Sequence, residues 1–184
     1  MRIISGEWKG RKLPTALPAG VRPTLDAARE TIFNILNNHC DFGGIYVCDI
    51  CAGSGALGIE ALSRGARHVT FVEKNRKVVS VIEANAKSLG IDALRYTIIH
   101  SDAIKFVQQY HGVFQLVFAD PPYAERMCNQ IVHGIIANNM LDETGVLVAE
   151  HATFEAILPQ SGIEIFSSRN FGETVVDFIR HTQP

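Results

Sequence analysis

The stretch Val117–Tyr123, VFADPPY, closes an apolar run, QLVFA, with an acid, two prolines and an aromatic ring. Neither Pro121 nor Pro122 carries a backbone N–H, and Pro121 also drives Asp120 towards extended geometry. A buried strand must therefore stop here in a stiff, exposed loop. In α/β chains the loop at a strand's carboxyl end is where ligands bind.

Three groups converge in that loop. Asp120 offers a carboxylate, the Pro121 carbonyl offers a second acceptor and Tyr123 offers a flat face, on a turn that Pro122 stiffens. A nucleobase's exocyclic amine has two N–H donors beside a ring, so two acceptors and a stacking platform suit it. Drawing on both N–H bonds as positive charge develops at nitrogen favours its attack on a methyl donor, and no strong base is needed. The competing role for DPPY is a plain turn, with Asp120 capping a helix that begins near Ala124.

With 184 residues, 47% of them hydrophobic, the chain is expected to form one domain with at most a small appendage. No apolar run approaches the ~18 residues of a membrane span, and MRIISGEWKGRK lacks a signal peptide's apolar segment. A cytoplasmic protein with no membrane contact is expected. The four cysteines read as reduced thiols. Cys48 and Cys51 form a C-x-x-C, but the first lies inside a predicted strand and the offset of three turns the pair to opposite faces, so both read as small buried hydrophobes. The scattered histidines show no ligand spacing, and no metal is expected.

Charge is unevenly placed. Up to Arg29 the chain carries Arg2, Lys9, Arg11, Lys12, Arg22 and Arg29 against Glu7 and Asp26, a net +4, whereas the whole chain is −2, leaving −6 elsewhere. A basic arm on an acidic body suggests contact with phosphates. RIISGEWKGRKL reads as a small hairpin, with strands near Ile3 and Lys12 and Trp8 in or near its turn. The basic residues and Trp8 are candidates for nucleic-acid contact, against a bland alternative in which the hairpin is solvated and Trp8 packs on the body. A Pro/Gly-rich linker, PTALPAGVRPT, follows. The division expected is residues 1–22 as hairpin and linker, and 23–184 as the main domain. TLDAARETIFNILNN then reads as a helix capped by Thr24, with Ala28, Ile32, Ile35 and Leu36 on its buried face.

IYVCDI is a short buried strand running into CAGSGALGIEALSRG, whose glycines permit a tight turn onto a helix N-terminus that attracts a ligand. Gly53, Gly55 and Gly58 satisfy G-x-G-x-x-G, which alone also fits a nicotinamide or flavin protein. Asp49, just before the loop, argues otherwise. A carboxylate there repels a pyrophosphate and welcomes the ammonium group of a methionine moiety, which favours S-adenosylmethionine; its plainer role is to cap loop amides. HVTFVEKN ends on Glu73, about 20 residues past Gly53, the spacing at which an acid takes ribose hydroxyls. Asp102 ends a third strand, YTIIHSDA, suited to accept from an adenine amine, to cap the next helix, or both. GVFQLVFA and GVLVAEH supply two more strands. IEIFSSRNFGETVVDFIRH reads as two strands around Gly172 with no crossover helix, so one late strand must insert antiparallel. The fold class is α/β: a doubly wound, mostly parallel sheet with an antiparallel C-terminal strand.

The ordered set DICAGSGALG, Glu73, SDA and DPPY, with a terminal antiparallel pair, resembles class I S-adenosylmethionine-dependent methyltransferases, and DPPY resembles the motif of their amino-methyltransferases. RIISGEWKGRKL, RPTLDAARETIFNIL and AGSGALGIEALSRGA narrow the resemblance to bacterial guanine-N2 methyltransferases of small-subunit (16S) ribosomal RNA (RsmD type), nearly end to end. That resemblance implies a seven-stranded Rossmann-like sheet with a basic RNA-facing N-terminal hairpin. It also implies cofactor contacts at Asp49, Ala52, Gly53, Gly55, Glu73, Asp102 and Ala103, and a guanine amine held by Asp120 to Tyr123. The expected partner is ribosomal RNA, in the small subunit or an assembly intermediate, met by a monomer. Two departures stand out: Ala27 replaces an arginine of a DRVRE-type helix start, and Phe171 replaces a frequent Tyr before Gly. The rivals are amino-methylation of DNA, which calls for a target-recognition insertion this chain has no room for, or of a protein glutamine, which usually pairs with NPPY. A non-catalytic nucleotide-binding module, from a different class, needs no DPPY.

Overall fold

The computed structural model describes residues 2–13 and 26–182. The expected linker, with Thr24 and Arg22, lies outside them. Helix α1 (Asp26–Leu36) is followed by alternating strands and helices: β1 (Tyr46–Ile50), α2 (Ala56–Ser63), β2 (His68–Glu73), α3 (Arg76–Leu89), β3 (Tyr96–His100), α4 (Ala103–Gln109), β4 (Phe114–Ala119), α5 (Cys128–Ala137) and β5 (Leu141–Ala152). Two long strands, β6 (Ile163–Phe171) and β7 (Thr174–His181), complete a single sheet of order β3-β2-β1-β4-β5-β7-β6.

Strands β1 to β5 pair in parallel, and β7 slots antiparallel between β5 and β6. The short turn at Gly172, in the left-handed region at φ 72°, leaves no room for a crossover, so the reversal is forced. Alternation of side chains divides the core. On one face Val47, Phe71, Phe118 and Val148 pack with α1, α2 and α3; on the other Cys48, Ile50, Val117 and Leu147 pack with α4 and α5. Both faces of the central strands are covered, which explains their near-continuous apolar sequence. Gly90 ends α3 in the left-handed conformation, at φ 73°. Helix α5 starts at Cys128 and not near Ala124, because Tyr123–Glu125 form a separate 3-10 turn.

The N-terminal segment differs from the expected two-stranded hairpin. It is a tight loop closed by one antiparallel bridge, Arg2 to Lys12. Four of its N–H groups turn to α2: Ile4 and Ser5 donate to the Glu60 carboxylate at 2.8 and 3.0 Å, and Glu7 and Trp8 donate to Ser63. Gly6 makes this approach possible, since a Cβ there would lie 1.8 Å from the Ser63 carbonyl oxygen. Ile3, Trp8 and Leu13 join the main core cluster.

A buried pair ties the inserted strand in place: His151 Nε2 on β5 lies 3.0 Å from Asp177 Oδ2 on β7. Burial alone would lower the His151 pKa, but hydrogen bonds to Asp177 and the Ala152 carbonyl raise it above the ordinary 6.5. Burial likewise works against the Asp177 carboxylate, yet its bonds to His151 and Ser168 hold its pKa below the ordinary 3.8. The His151 contribution is whole below 6.5 and lost as pH rises through its raised pKa; that of Asp177 is whole above 3.8 and lost as pH falls through its lowered one. Chemical denaturation of the wild type and Asp177→Asn should therefore show a wider stability gap at pH 5 than at pH 9. An equal gap at both would mean that the pair is not ionised in the fold.

Candidate active site

Strand order reverses between β1 and β4, and the helices that follow them, α2 and α5, pack on opposite faces. That divergence opens a crevice at the strands' carboxyl ends. The crevice is a cavity of about 370 Å³ whose walls include Asp49, Ala52, Gly53, Glu73, Asp102, Ala103 and Asp120 to Tyr123. Residues spread over 75 positions of the sequence (49 to 123) thus meet in one site.

On the β1 side the chain turns sharply through Cys51 and Gly53, with φ of 62° and 54°, and enters α2 from Gly55 at 76°. Gly58 lets α2 press against β2, for a Cβ there would lie 2.3 Å from the Phe71 ring. Asp49 is buried, and its Oδ2 accepts from the Gly58 N–H at 2.9 Å, the amide-capping role. Burial pushes its pKa up to about 7; the Gly58 bond opposes this and nearby Glu73 adds to it. Glu73 accepts from Gly53 N on one oxygen at 3.1 Å and Asn75 N on the other at 2.8 Å, so it braces the loop it faces. Asp102 caps α4 through Oδ1, which accepts from Ile104 and Lys105. Gly55 does not line the cavity; it shapes the turn and packs near Phe71 and Ile82 instead.

On the β4 side Asp120 donates its backbone N–H to the Ile50 carbonyl at 3.2 Å, which locks the DPPY loop to the end of β1. Asp120 caps no helix, since α5 begins eight residues later. Tyr123 reaches across to the last strands. Its hydroxyl donates to Glu150 Oε1 at 2.8 Å and lies 2.6 Å from Thr174 Oγ1. Burial, with the Glu150 carboxylate adding to it and the Thr174 bond opposing, holds the phenol pKa above its ordinary range, so the hydroxyl stays protonated. Across the rim Lys74, after β2, pairs with both Glu125 oxygens at 2.6 and 2.7 Å.

Glu150, Thr174 and Lys74 escaped the sequence reading. Glu150 had a signal, as a fifth acid near a strand's carboxyl end; Thr174 had none. Phe171 also lines the cavity. Of the residues expected to meet RNA, Arg2, Lys9, Arg11 and Lys12 are exposed, with the Arg11 guanidinium donating to the Ser88 and Leu89 carbonyls. Trp8 and Arg29 are corrections. Trp8 is 5% exposed, with the Arg95 guanidinium 5.2 Å over its ring, and Arg29 is 1% exposed and donates to the Arg2 carbonyl. Both hold the N-terminal segment to the body and are withdrawn from solvent. Among the described residues there is no cluster of three or more His, Cys, Asp or Glu that could hold a metal ion, and no helix is long and apolar enough to cross a membrane.

The sheet order with its single inserted antiparallel strand, and a cleft bounded by the glycine turn and DPPY, define a Rossmann-like methyltransferase. A solved structure described as "Putative methyltransferase yhhF" of Escherichia coli superposes with a TM-score of 0.86 at 28% identity, covering 98% of this chain and 97% of that one. The chain belongs to the family described as Conserved hypothetical protein 95, which matches residues 1–180. Relatives include "Putative rRNA methyltransferase YlbH" of Bacillus subtilis, 37% identical over 92% of this chain and 91% of its own length. Ribosomal RNA small subunit methyltransferase D of Haemophilus influenzae is 36% identical over 82% of this chain and 78% of its own.

Because the Tyr123 hydroxyl bridges Glu150 and Thr174, Tyr123→Phe keeps the ring but strands buried acceptors. Urea denaturation should register a loss of about 1–3 kcal/mol. Unchanged stability would mean that the bridge does not hold the ring.

Proposed function

We propose that this protein transfers a methyl group from S-adenosylmethionine to the exocyclic N2 amine of a guanine in small-subunit ribosomal RNA. The observation that carries the reading is the junction at β1 and β4, where a carboxylate-lined pocket and the DPPY loop share one cavity. The names of the relatives supply the RNA class. The basic surface of Arg2, Lys9 and Lys12 suits a polyanion.

The residues present fit that cofactor. Asp49 is a buried carboxylate whose charge is costly without a cationic partner, and an ammonium group is such a partner. Glu73 and Asp102 each keep acceptor capacity beyond their backbone bonds, Glu73 for vicinal hydroxyls and Asp102 for an adenine amine. When bound, S-adenosylmethionine supplies a methyl group already activated for transfer.

The acceptor side does the positioning. The Asp120 carboxylate and Pro121 carbonyl accept the two N–H bonds of the guanine amine, fix its lone pair towards the cofactor side, and stabilise the positive charge that develops on nitrogen. Tyr123 stacks on the base. With its hydroxyl engaged by Glu150 and Thr174, its ring is held in one plane and its proton stays in place. The surplus amine proton leaves through Asp120 or to water.

Labelled methyl transfer to small subunits from a strain lacking the modification, with naked RNA, DNA and protein extract alongside, tests the whole reading. Label on guanine N2 is expected, and Asp120→Ala should lower turnover by about 10²–10³-fold with cofactor affinity retained. Label on DNA or protein, or full turnover in the variant, would overturn the corresponding part.

Cofactor binding should also depend on pH. Since Asp49 in the free protein titrates near 7 and an ammonium favours its charged form, affinity should weaken below that pH, by up to about tenfold per unit. Calorimetric titration between pH 5.5 and 8.5 checks this. A flat profile in the wild type would remove Asp49 from the ammonium site.

A further inference from the structure

Between the cavity-lining Ala124 and Met127, Arg126 is exposed and lies against an exposed aromatic ring. Arg126 follows the DPPY turn, its N–H donating to the Tyr123 carbonyl at 3.3 Å, and takes φ 48°, a conformation costly for a bulky residue. Its guanidinium carbon lies 5.0 Å over the centroid of Phe154, which is 60% exposed. Phe154 follows β5, in a loop that is pinned on both sides. Thr153 N donates to the Glu173 carbonyl, next to cavity-lining Thr174; Glu155 accepts from Cys128 and Asn129 at the start of α5; Asn129 in turn holds Ala156 and Leu158. A large ring is thus kept in water by a rigid frame, between two segments that wall the acceptor pocket.

We propose that Arg126 and Phe154 form a second stacking platform, which takes the unpaired nucleotide adjoining the target guanine. The inference rests on reading the acceptor as a guanine in RNA. A base lifted out of its stack leaves its neighbour unstacked, and every base has a π-face for an aromatic ring. Phe154 supplies that ring. Arg126, over one face of that ring, offers its N–H donors to the neighbouring phosphate. Tyr123 and Phe154 then grip successive bases, and Asp120 meets only the first.

Fluorescence anisotropy with two labelled single-stranded oligoribonucleotides tests this, one intact and one abasic beside its guanine. The wild type should bind the intact probe about tenfold more tightly, by the usual strength of one base–aromatic stack. Phe154→Ala should bind both probes equally, and Phe154→Tyr should restore the difference. A wild type that does not distinguish the probes, whether through equal affinity or none, overturns the platform, as does full discrimination by Phe154→Ala. Binding is read without turnover. Methyl label on RNA with no discrimination between probes therefore defeats the platform alone, whereas no label on RNA and no probe binding defeats both readings. A Phe154→Ala defect confined to assembled subunits, with probe discrimination intact, would assign the rim to a protein contact instead.

Discussion

The reversal of strand order between β1 and β4 governs everything built above it. Two parallel strands whose helices leave on opposite faces cannot close the space beyond their carboxyl ends, and into that space the chain sends acids from four strand ends: Asp49, Glu73, Asp102 and Asp120. Burying carboxylates together opposes folding, and Asp49 shows it: burial first, and the Glu73 charge after it, raise its pKa. The backbone relieves part of the tension, with N–H donors of Gly58, Gly53 and Asn75, and of the α4 start, aimed at three of those acids. What remains is an electrostatic preference for a ligand that brings positive charge and donors.

The other organising element is α2, all eight of whose residues are buried. It is covered from outside by the N-terminal loop, and Glu60 is the hinge of that contact: its carboxylate takes Ile4 N, Ser5 N and the Arg64 guanidinium while 1% exposed. A buried charge with this many donors is tolerable, and one without them is not. The basic N-terminal residues are consequently fixed relative to the glycine turn at the other end of the same helix. The exposed basic surface and the cleft share one rigid support.

Much of this was legible in the chain itself, where signal is local. DPPY ends a strand because two prolines cannot do otherwise, the glycine turn and the acid spacing along it follow from strand and helix lengths, and the missing crossover before Gly172 dictates an antiparallel strand. Contacts between distant segments left no such trace. Nothing near Tyr123 announces that Glu150 and Thr174 hold its hydroxyl, because that bond is made across three strands. Trp8 and Arg29 misled for a related reason: a tryptophan or arginine beside basic residues has the same local sequence whether it faces a phosphate or packs inward. The hairpin shrank to one bridge because α2, 50 residues away and more, outcompeted the second strand for its backbone donors.

The place of β7 in the sheet carries a consequence for the order in which the site comes into being. Asp49, Glu73 and Asp102 belong to the first 102 residues, and the DPPY loop is complete by Tyr123, yet the wall opposite Tyr123 is made of Phe171 and Thr174 from the final hairpin. On a ribosome, which delivers the chain from its N-terminus, the side that carries Asp49, Glu73 and Asp102 can take shape while the Tyr123 side still lacks a wall. Only when the last strand wedges itself between β5 and β6 does the Tyr123 hydroxyl gain Thr174 as a second partner beside Glu150 of β5. A chain that lacks β7 therefore lacks a finished cleft.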